Sequence, residues 1–333
     1  MFQSSDHPGA EVLPRADECL RADARDLQGG GRRSLAIPGT EGRLSLLEWD
    51  GPADYPDDGP ALVWLHATGF HALTYRRLLI DIAAQMPVVA LDLRGHGSTT
   101  LPAVPGRTRV HRVYFGDVVT VLEGLGRPAI LGGHSLGCLV GFGLAGRRPD
   151  LVRGLLLAEP VLVPQRLARL FAIARAFGQA DKVSRMAAGA RRRRVVFPSR
   201  MAMLDSYAGR GAFRTWPAET LADYVAGGAR GRPDGQVELA CSPAWEAETF
   251  NALPARLWRW IGGIRCPITL LRGGQGSTCR EESAARLKAM KPWTREVMRP
   301  QASHFLPQEE PELVVEEVRR LTAAVAEGRA TAN

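Results

Sequence analysis

Apolar and polar positions along this chain follow two rhythms. Between residues 61 and 157 short unbroken apolar runs, Ala61 to Leu65, Pro87 to Leu91, Ala129 to Leu131 and Val152 to Leu157, alternate with longer amphipathic or small-residue stretches at Tyr75 to Gln85, His111 to Leu125 and Leu136 to Arg147. Unbroken runs of that length predict strands buried on both faces, and the stretches between them predict helical crossovers, so the sheet is expected to be mostly parallel. Ahead of this block, Arg33 to Ile37 and Leu44 to Trp49 predict a strand pair joined through Pro38-Gly39-Thr40, and Gly51 to Pro60 a Gly/Pro/Asp loop.

The alternation stops after Pro160. Up to about Leu257 the pattern is mostly helical and rich in arginine, and it carries Phe197, Tyr207, Phe213, Trp216, Tyr224, Trp245 and Phe250. It returns with Ile268 to Leu271, a short strand near Glu296 to Met298 and an amphipathic helix from about Pro311 to Ala326. The expected organisation is an α/β fold, a mostly parallel sheet flanked by helices, with residues 32–160 and 258–327 as its core and 161–257 as an inserted helical lid. Residues 1–31, polar and ending in Gly29-Gly30-Gly31, predict a flexible arm.

Composition narrows the function. The net charge of +8 comes from a basic set of 43 residues in which only Lys182, Lys288 and Lys291 are lysines. That skew reads as coding bias in a GC-rich genome, and no nucleic-acid partner is inferred from it. The five cysteines, Cys19, Cys138, Cys241, Cys266 and Cys279, are scattered and form no Cys-x-x-Cys pair, which argues against a disulfide framework and a zinc site. Residues 1–31 hold no apolar core of signal-peptide length and no later run is long enough for a bilayer span, so the expected compartment is the cytoplasm.

Candidate chemistry centres on Gly133-His134-Ser135-Leu136-Gly137, which stands between a predicted strand and a predicted helix. A serine on so sharp a turn is held up at the sheet edge, and flanking glycines remove the Cβ atoms that would clash there. Gly137, Gly141, Gly143 and Gly146 give the following helix a thin face for close approach to the sheet.

Five pieces of the chain, in order, resemble the α/β-hydrolase family: His66-Ala67-Thr68-Gly69-Phe70, Asp92-Leu93-Arg94-Gly95-His96-Gly97-Ser98, the turn at Ser135, Ala158-Glu159-Pro160 and Ser303-His304-Phe305. The resemblance implies Ser135 as nucleophile and His304 as its base, with backbone N–H groups of Leu136 and Thr68 stabilising an oxyanion. Ala67 replaces the glycine usual in that loop. The aspartate expected after the Ile268 to Leu271 strand is missing, for the chain reads Gly273-Gly274-Gln275-Gly276-Ser277-Thr278. Some family members take the acid from the strand after the elbow helix, so Glu159 is assigned, with Glu281 and Glu282 in reserve. His66 and His96 match structural positions of their motifs, His134 is the variable elbow residue, and His111 starts a helix.

The expectation is therefore a cofactor-independent serine hydrolase acting on an ester or lactone of a small to medium apolar acid. A carbon–carbon hydrolase or acyltransferase on the same triad is the alternative, and a non-catalytic ligand receptor is the alternative from another class. Arg191 to Arg194 reads as a solvated basic face rather than an acidic-substrate site. No metal is expected, and a homodimer is left open.

Overall fold

The computed structural model describes residues 16–17, 19–20, 26–106 and 110–328. Eight strands form one sheet: β1 (Gly31–Ala36), β2 (Arg43–Trp49), β3 (Ala61–Leu65), β4 (Val88–Asp92), β5 (Ala129–His134), β6 (Val152–Ala158), and two later strands, Ile268–Gln275 and Arg295–Ser303. From Ala61 onward every pairing within this sheet is parallel; β1 and β2 add an antiparallel edge on β4. Strands β3, β4 and β5 are buried along their whole length, as unbroken apolar runs require when helices cover both faces.

The crossover helices are α1 (Arg76–Ala83), α2 (Val110–Gly124) and α3 (Leu136–Arg147). Helix α3 lies unusually deep: a Cβ on Gly137 would come 2.0 Å from the Leu65 carbonyl oxygen, and one on Gly146 2.0 Å from that of Trp260. A side chain at Gly137 would push the helix off β3, and one at Gly146 would push it off the helix that carries Trp260, forfeiting the packing of its buried face.

After β6 come α4 (Gln165–Ala176), α5 (Ala180–Val183), α6 (Arg185–Arg191), β7 (Val196–Phe197), α7 (Arg200–Tyr207), α8 (Ala218–Gly228), β8 (Ala229–Gly231), β9 (Val237–Leu239) and α9 (Pro243–Phe250). The three short strands make a separate antiparallel sheet, ordered β7-β9-β8, inside a segment whose sequence pattern predicts mostly helix and names no strand. Their signal is the turn between β8 and β9, Arg232-Pro233-Asp234-Gly235-Gln236, in which Gly235 takes φ +80° and Asp234 Oδ1 accepts from the Gln236 N–H at 3.1 Å. Then follow α10 (Leu257–Gly262), β10 (Ile268–Gln275), α11 (Glu281–Met290), β11 (Arg295–Ser303), α12 (Leu306–Glu309) and α13 (Pro311–Ala326).

Two strands run further than their apolar pattern. β10 continues through Gly273-Gly274-Gln275, and β11 runs on through Pro300 to Ser303, with a register shift between Gly273 and Gln275. Pro300 is tolerated because β11 is the last strand of the sheet and needs no outward N–H bond. Most of the expected flexible arm, residues 1–15, 18 and 21–25, lies outside the described residues. Where the segment is described, Ala16 and Leu27 are buried, and the Trp49 indole donates to the Leu27 carbonyl at 2.7 Å. Among the described residues no helix is long and apolar enough to cross a membrane.

Candidate active site

Strands β3, β5, β6 and β10 run parallel and end at one edge of the sheet, which gathers the loops following them. Ser135 closes β5 at φ 52°, ψ −105°, a left-handed conformation that an L-residue adopts only under constraint. The constraint is visible. Gly133 faces the Gly137 carbonyl carbon, which a Cβ would approach to 2.6 Å, and the Ser135 N–H donates to the Ala158 carbonyl at 3.1 Å. Beneath the turn the buried Cys138 thiol lies 3.0 Å from the Gly133 carbonyl oxygen.

Glu159 ends β6 beside it, also left-handed at φ 50°, and is completely buried. Its carboxylate accepts from the Gly273 N–H at 2.6 Å, the Ser277 hydroxyl at 2.8 and 2.9 Å, the Thr278 N–H at 3.1 Å and His304 Nδ1 at 3.2 Å. An unpaired carboxylate in such a place would cost several kcal/mol, on the order of what a handful of charge-assisted hydrogen bonds at about 1.5–3 kcal/mol each can offset. The loop that lacks an acid thus supplies donors to the acid on the neighbouring strand. The reserve candidates lie elsewhere: Glu281 pairs with Arg272, and Glu282 is exposed at the rim of a cavity.

His304 follows β11. With Nδ1–H directed at Glu159, Nε2 carries the lone pair, and His304 lines a cavity together with Ser135 and Thr68. Thr278 Oγ1 stands 3.2 Å from Nδ1 and donates to the Glu159 or Pro160 carbonyl, each 3.2 Å away. The loop is pinned by Glu309, which accepts from the Ser303 N–H at 2.7 Å and hydroxyl at 2.6 Å.

Two N–H groups complete the arrangement. Leu136 begins α3, and Thr68 lies in the loop after β3; neither backbone N–H bonds another protein group among the described residues. The neighbouring donors of that loop are occupied: the Ala67 N–H bonds the Tyr75 hydroxyl at 3.1 Å, and the Gly69 N–H bonds His96 Nε2 at 3.1 Å. His66 accepts from the Leu93 N–H through Nε2 at 2.9 Å and donates through Nδ1 to the Ala67 carbonyl at 2.7 Å. Burial pushes the pKa of His66 well down and that of His96 down to about 4, so both stay neutral and keep these donor and acceptor roles.

His134 has a part that the sequence pattern does not reveal. Its Nε2–H donates to the His304 carbonyl at 2.7 Å, which leaves Nδ1 to accept from the Tyr75 hydroxyl at 2.8 Å; that hydroxyl in turn accepts from Ala67. Burial first, then the nearby His304, hold His134 well below the usual histidine range. A neutral imidazole thus ties the Thr68 loop to the His304 loop.

Two cavities meet at Ser135. The larger, about 870 Å³, is walled by Leu136, Leu139, Val161 to Val163, Leu167 and Phe171 among others. The smaller, about 260 Å³, lies on the His304 side and is lined by Phe70, Phe213, Phe305, Tyr207, Tyr224 and Arg193. Of the basic run, Arg191 pairs with Asp181, Arg194 lies over the Phe197 ring at 4.8 Å, and Arg193 turns inward. Among the described residues no group of His, Cys, Asp and Glu side chains could hold a metal ion.

Comparison with known proteins agrees with this architecture. The profile of the alpha/beta hydrolase family matches residues 62–317. A 2-(acetamidomethylene)succinate hydrolase of Mesorhizobium japonicum is 25% identical over 263 residues, 78% of this chain and 87% of that protein. Esterase Rv0045c of Mycobacterium tuberculosis is 27% identical over 282 residues, 84% of this chain and 86% of its own. The crystal structure of an E-2-(acetamidomethylene)succinate hydrolase superposes with a TM-score of 0.70 at 22% identity, covering 89% of this chain and 100% of that one. The chain belongs to the alpha/beta hydrolase family, and it is a hydrolase with esterases among its relatives.

Proposed function

We propose that the protein is a cytoplasmic serine hydrolase that cleaves a carboxylic ester or lactone of a small to medium apolar acid, with Ser135, His304 and Glu159 as its triad. The observation that carries this reading is the 3.2 Å contact between His304 Nδ1 and a buried Glu159 carboxylate, next to a serine on a strained turn in the same cavity. Residues 161–257, which supply most of the walls of both cavities, act as the lid.

The steps follow from the donors and acceptors present. His304 Nε2 takes the Ser135 proton as Oγ attacks the acyl carbon, and ionised Glu159 stabilises the imidazolium without taking its proton. Charge developing on the carbonyl oxygen meets the Thr68 and Leu136 N–H groups, which are worth several kcal/mol because they are already oriented. The leaving group departs with the proton from Nε2. Water then enters, His304 deprotonates it, and the acyl-enzyme is hydrolysed.

The apolar walls of the larger cavity favour an aliphatic or aromatic acyl group. The Mesorhizobium relative's substrate is named as a succinate, a dicarboxylate. In the smaller cavity the Arg193 guanidinium is neutralised by Glu246, whereas Arg166, Arg185 and Arg280 line the larger one, so a second negative charge on the substrate would be met from the larger cavity. Fluorophosphonate labelling, combined with p-nitrophenyl esters of rising chain length, tests the reading: Ser135 should be labelled and turnover should follow the label. A wild-type enzyme that neither labels nor turns over any ester would favour the receptor reading instead.

A further inference from the structure

Arg193 leaves the end of α6 and enters the smaller cavity, where its guanidinium donates to three neighbours. Nη1 donates to Glu246 Oε2 at 2.7 Å, while Nη2 donates to the Tyr207 hydroxyl at 3.1 Å and the Tyr224 hydroxyl at 3.0 Å. An arginine can only donate, so both phenol oxygens are acceptors in this cluster and each keeps its own hydrogen to give away. Among the described residues neither phenol has an acceptor for that hydrogen, although both line the cavity that Ser135 and His304 share. Accepting from a cation polarises an O–H group and makes it a better donor.

One acceptor completes the set. Glu246 spends Oε2 on Arg193, whereas Oε1 bonds no donor among the described residues and lies 2.7 Å from where a Cβ on Gly69 would stand. The cluster as a whole is neutral, one guanidinium against one carboxylate. A carboxylate ligand would bring a second negative charge against Glu246, and a purely apolar ligand would strand two polarised donors in an aromatic chamber.

We infer that this chamber is a subsite for an uncharged group that accepts through one oxygen and donates through N–H or O–H, for which a primary carboxamide supplies every partner. Its carbonyl oxygen has two lone pairs for Tyr207 and Tyr224, and its N–H faces Glu246 Oε1. Phe70, Phe213 and Phe305 form the apolar walls around it. The inference rests on the proposed function, since it places this group at one end of the ester that Ser135 attacks, and it adds a substrate class that an apolar cavity alone would not suggest.

The test uses three nitrophenyl esters of matched shape: glutaramic acid with a carboxamide end, glutaric acid with a carboxylate end and isoheptanoic acid with an isopropyl end. The glutaramate ester is expected to exceed the isoheptanoate ester at least tenfold in kcat/KM, with the glutarate ester weakest. Tyr207→Phe and Tyr224→Phe should each lower the glutaramate-to-isoheptanoate ratio, and the double variant should bring it near unity. A ratio near one in the wild type, a preference for the carboxylate end, or a ratio unchanged in the double variant overturns the subsite. Titrating the same esters calorimetrically into the Ser135→Ala protein measures the chamber without turnover. A labelled, active enzyme that binds all three alike refutes the subsite alone, whereas an unlabelled protein that still prefers the glutaramate refutes the triad alone.

Discussion

The sheet edge and the inserted segment 161–257 are held together by different physics. At the edge, the acid, the histidine and the loops around the serine are joined by short directional bonds whose donor and acceptor roles are fixed by neutral buried imidazoles. In the insertion, α4 carries Leu170 and Ile173 more than half exposed, and Phe177 just beyond it is 76% exposed. Its polar anchors to the core sit away from that helix: Arg76 pairs with Asp223 at 3.0 Å, the Trp245 indole donates to the Arg94 carbonyl at 2.9 Å, Thr215 donates to Glu309 at 2.6 Å, and Arg230 donates to the Gly97 and Thr99 carbonyls at 2.8 and 3.0 Å. Changes at the edge should therefore act on rate, and changes in the insertion on which substrate is taken.

The largest effect is expected from Ser135→Ala and His304→Ala, each lowering kcat on the order of 10⁴-fold or more, with the double variant no worse than either single one. Steady-state rates checked against circular dichroism would establish this; retained esterase activity in Ser135→Ala would remove the edge from the chemistry. Glu159→Gln should cost roughly 10³–10⁴-fold in kcat, because an amide cannot stabilise the imidazolium. Glu281→Gln, which loosens the pair with Arg272, should leave kcat within about twofold.

Next come the residues that position the proposed triad. Replacing His134 with alanine strands the Tyr75 hydroxyl and the His304 carbonyl, each a loss of about 1–3 kcal/mol. It should lower kcat about tenfold or more with little change in KM, and Tyr75→Phe should do less; a change confined to KM would contradict the tie between the two loops. Acid should act on the same groups. His66, His96 and His134 have folded-state pKa values below the unfolded value of about 6.5, so the unfolded chain binds more protons as pH falls. Their contribution to stability is present above that pH and is lost below it, with His96 yielding between about 6.5 and about 4. Each can remove up to about 1.4 kcal/mol per pH unit, which denaturant melts between pH 7 and 5 would register as a falling midpoint. The smallest effect belongs to the insertion: Leu167→Ala or Phe171→Ala should shift acyl-chain preference several-fold and leave the rate on a short ester nearly unchanged.

Much of this arrangement is legible in the sequence because strand order follows apolar runs, and strand ends mark where loops converge. Ser135 stands out through its two glycines, and Glu159 through a charge at the end of a buried run. What stays hidden is set by contacts between distant segments. The extension of β10 and β11 depends on Pro300 lying at a free edge, and the strands β7, β8 and β9 are too short to show a period. Arg193 looks like its three neighbours until the fold turns it toward Glu246 and the two tyrosines. His134 occupies a position that the elbow motif leaves open, so only Tyr75 and the His304 carbonyl reveal its bonds.

Ser135 and Glu159 leave adjacent parallel strands through left-handed residues of nearly the same φ, 52° and 50°. The end of β6 and the loop after β10 are thus two addresses from which a side chain reaches the imidazole, Glu159 and Thr278 each standing 3.2 Å from His304 Nδ1. Re-addressing the acid needs only a short carboxylate at one address and small donors at the next, as Gly273, Ser277 and Thr278 now provide for Glu159. The scaffold tolerates such relocation because the sheet, rather than any single loop, fixes the distances. A lineage can therefore pass through intermediates carrying a carboxylate at both addresses, and a double variant with Ser277→Asp beside Glu159→Gln would retrace that path in one protein.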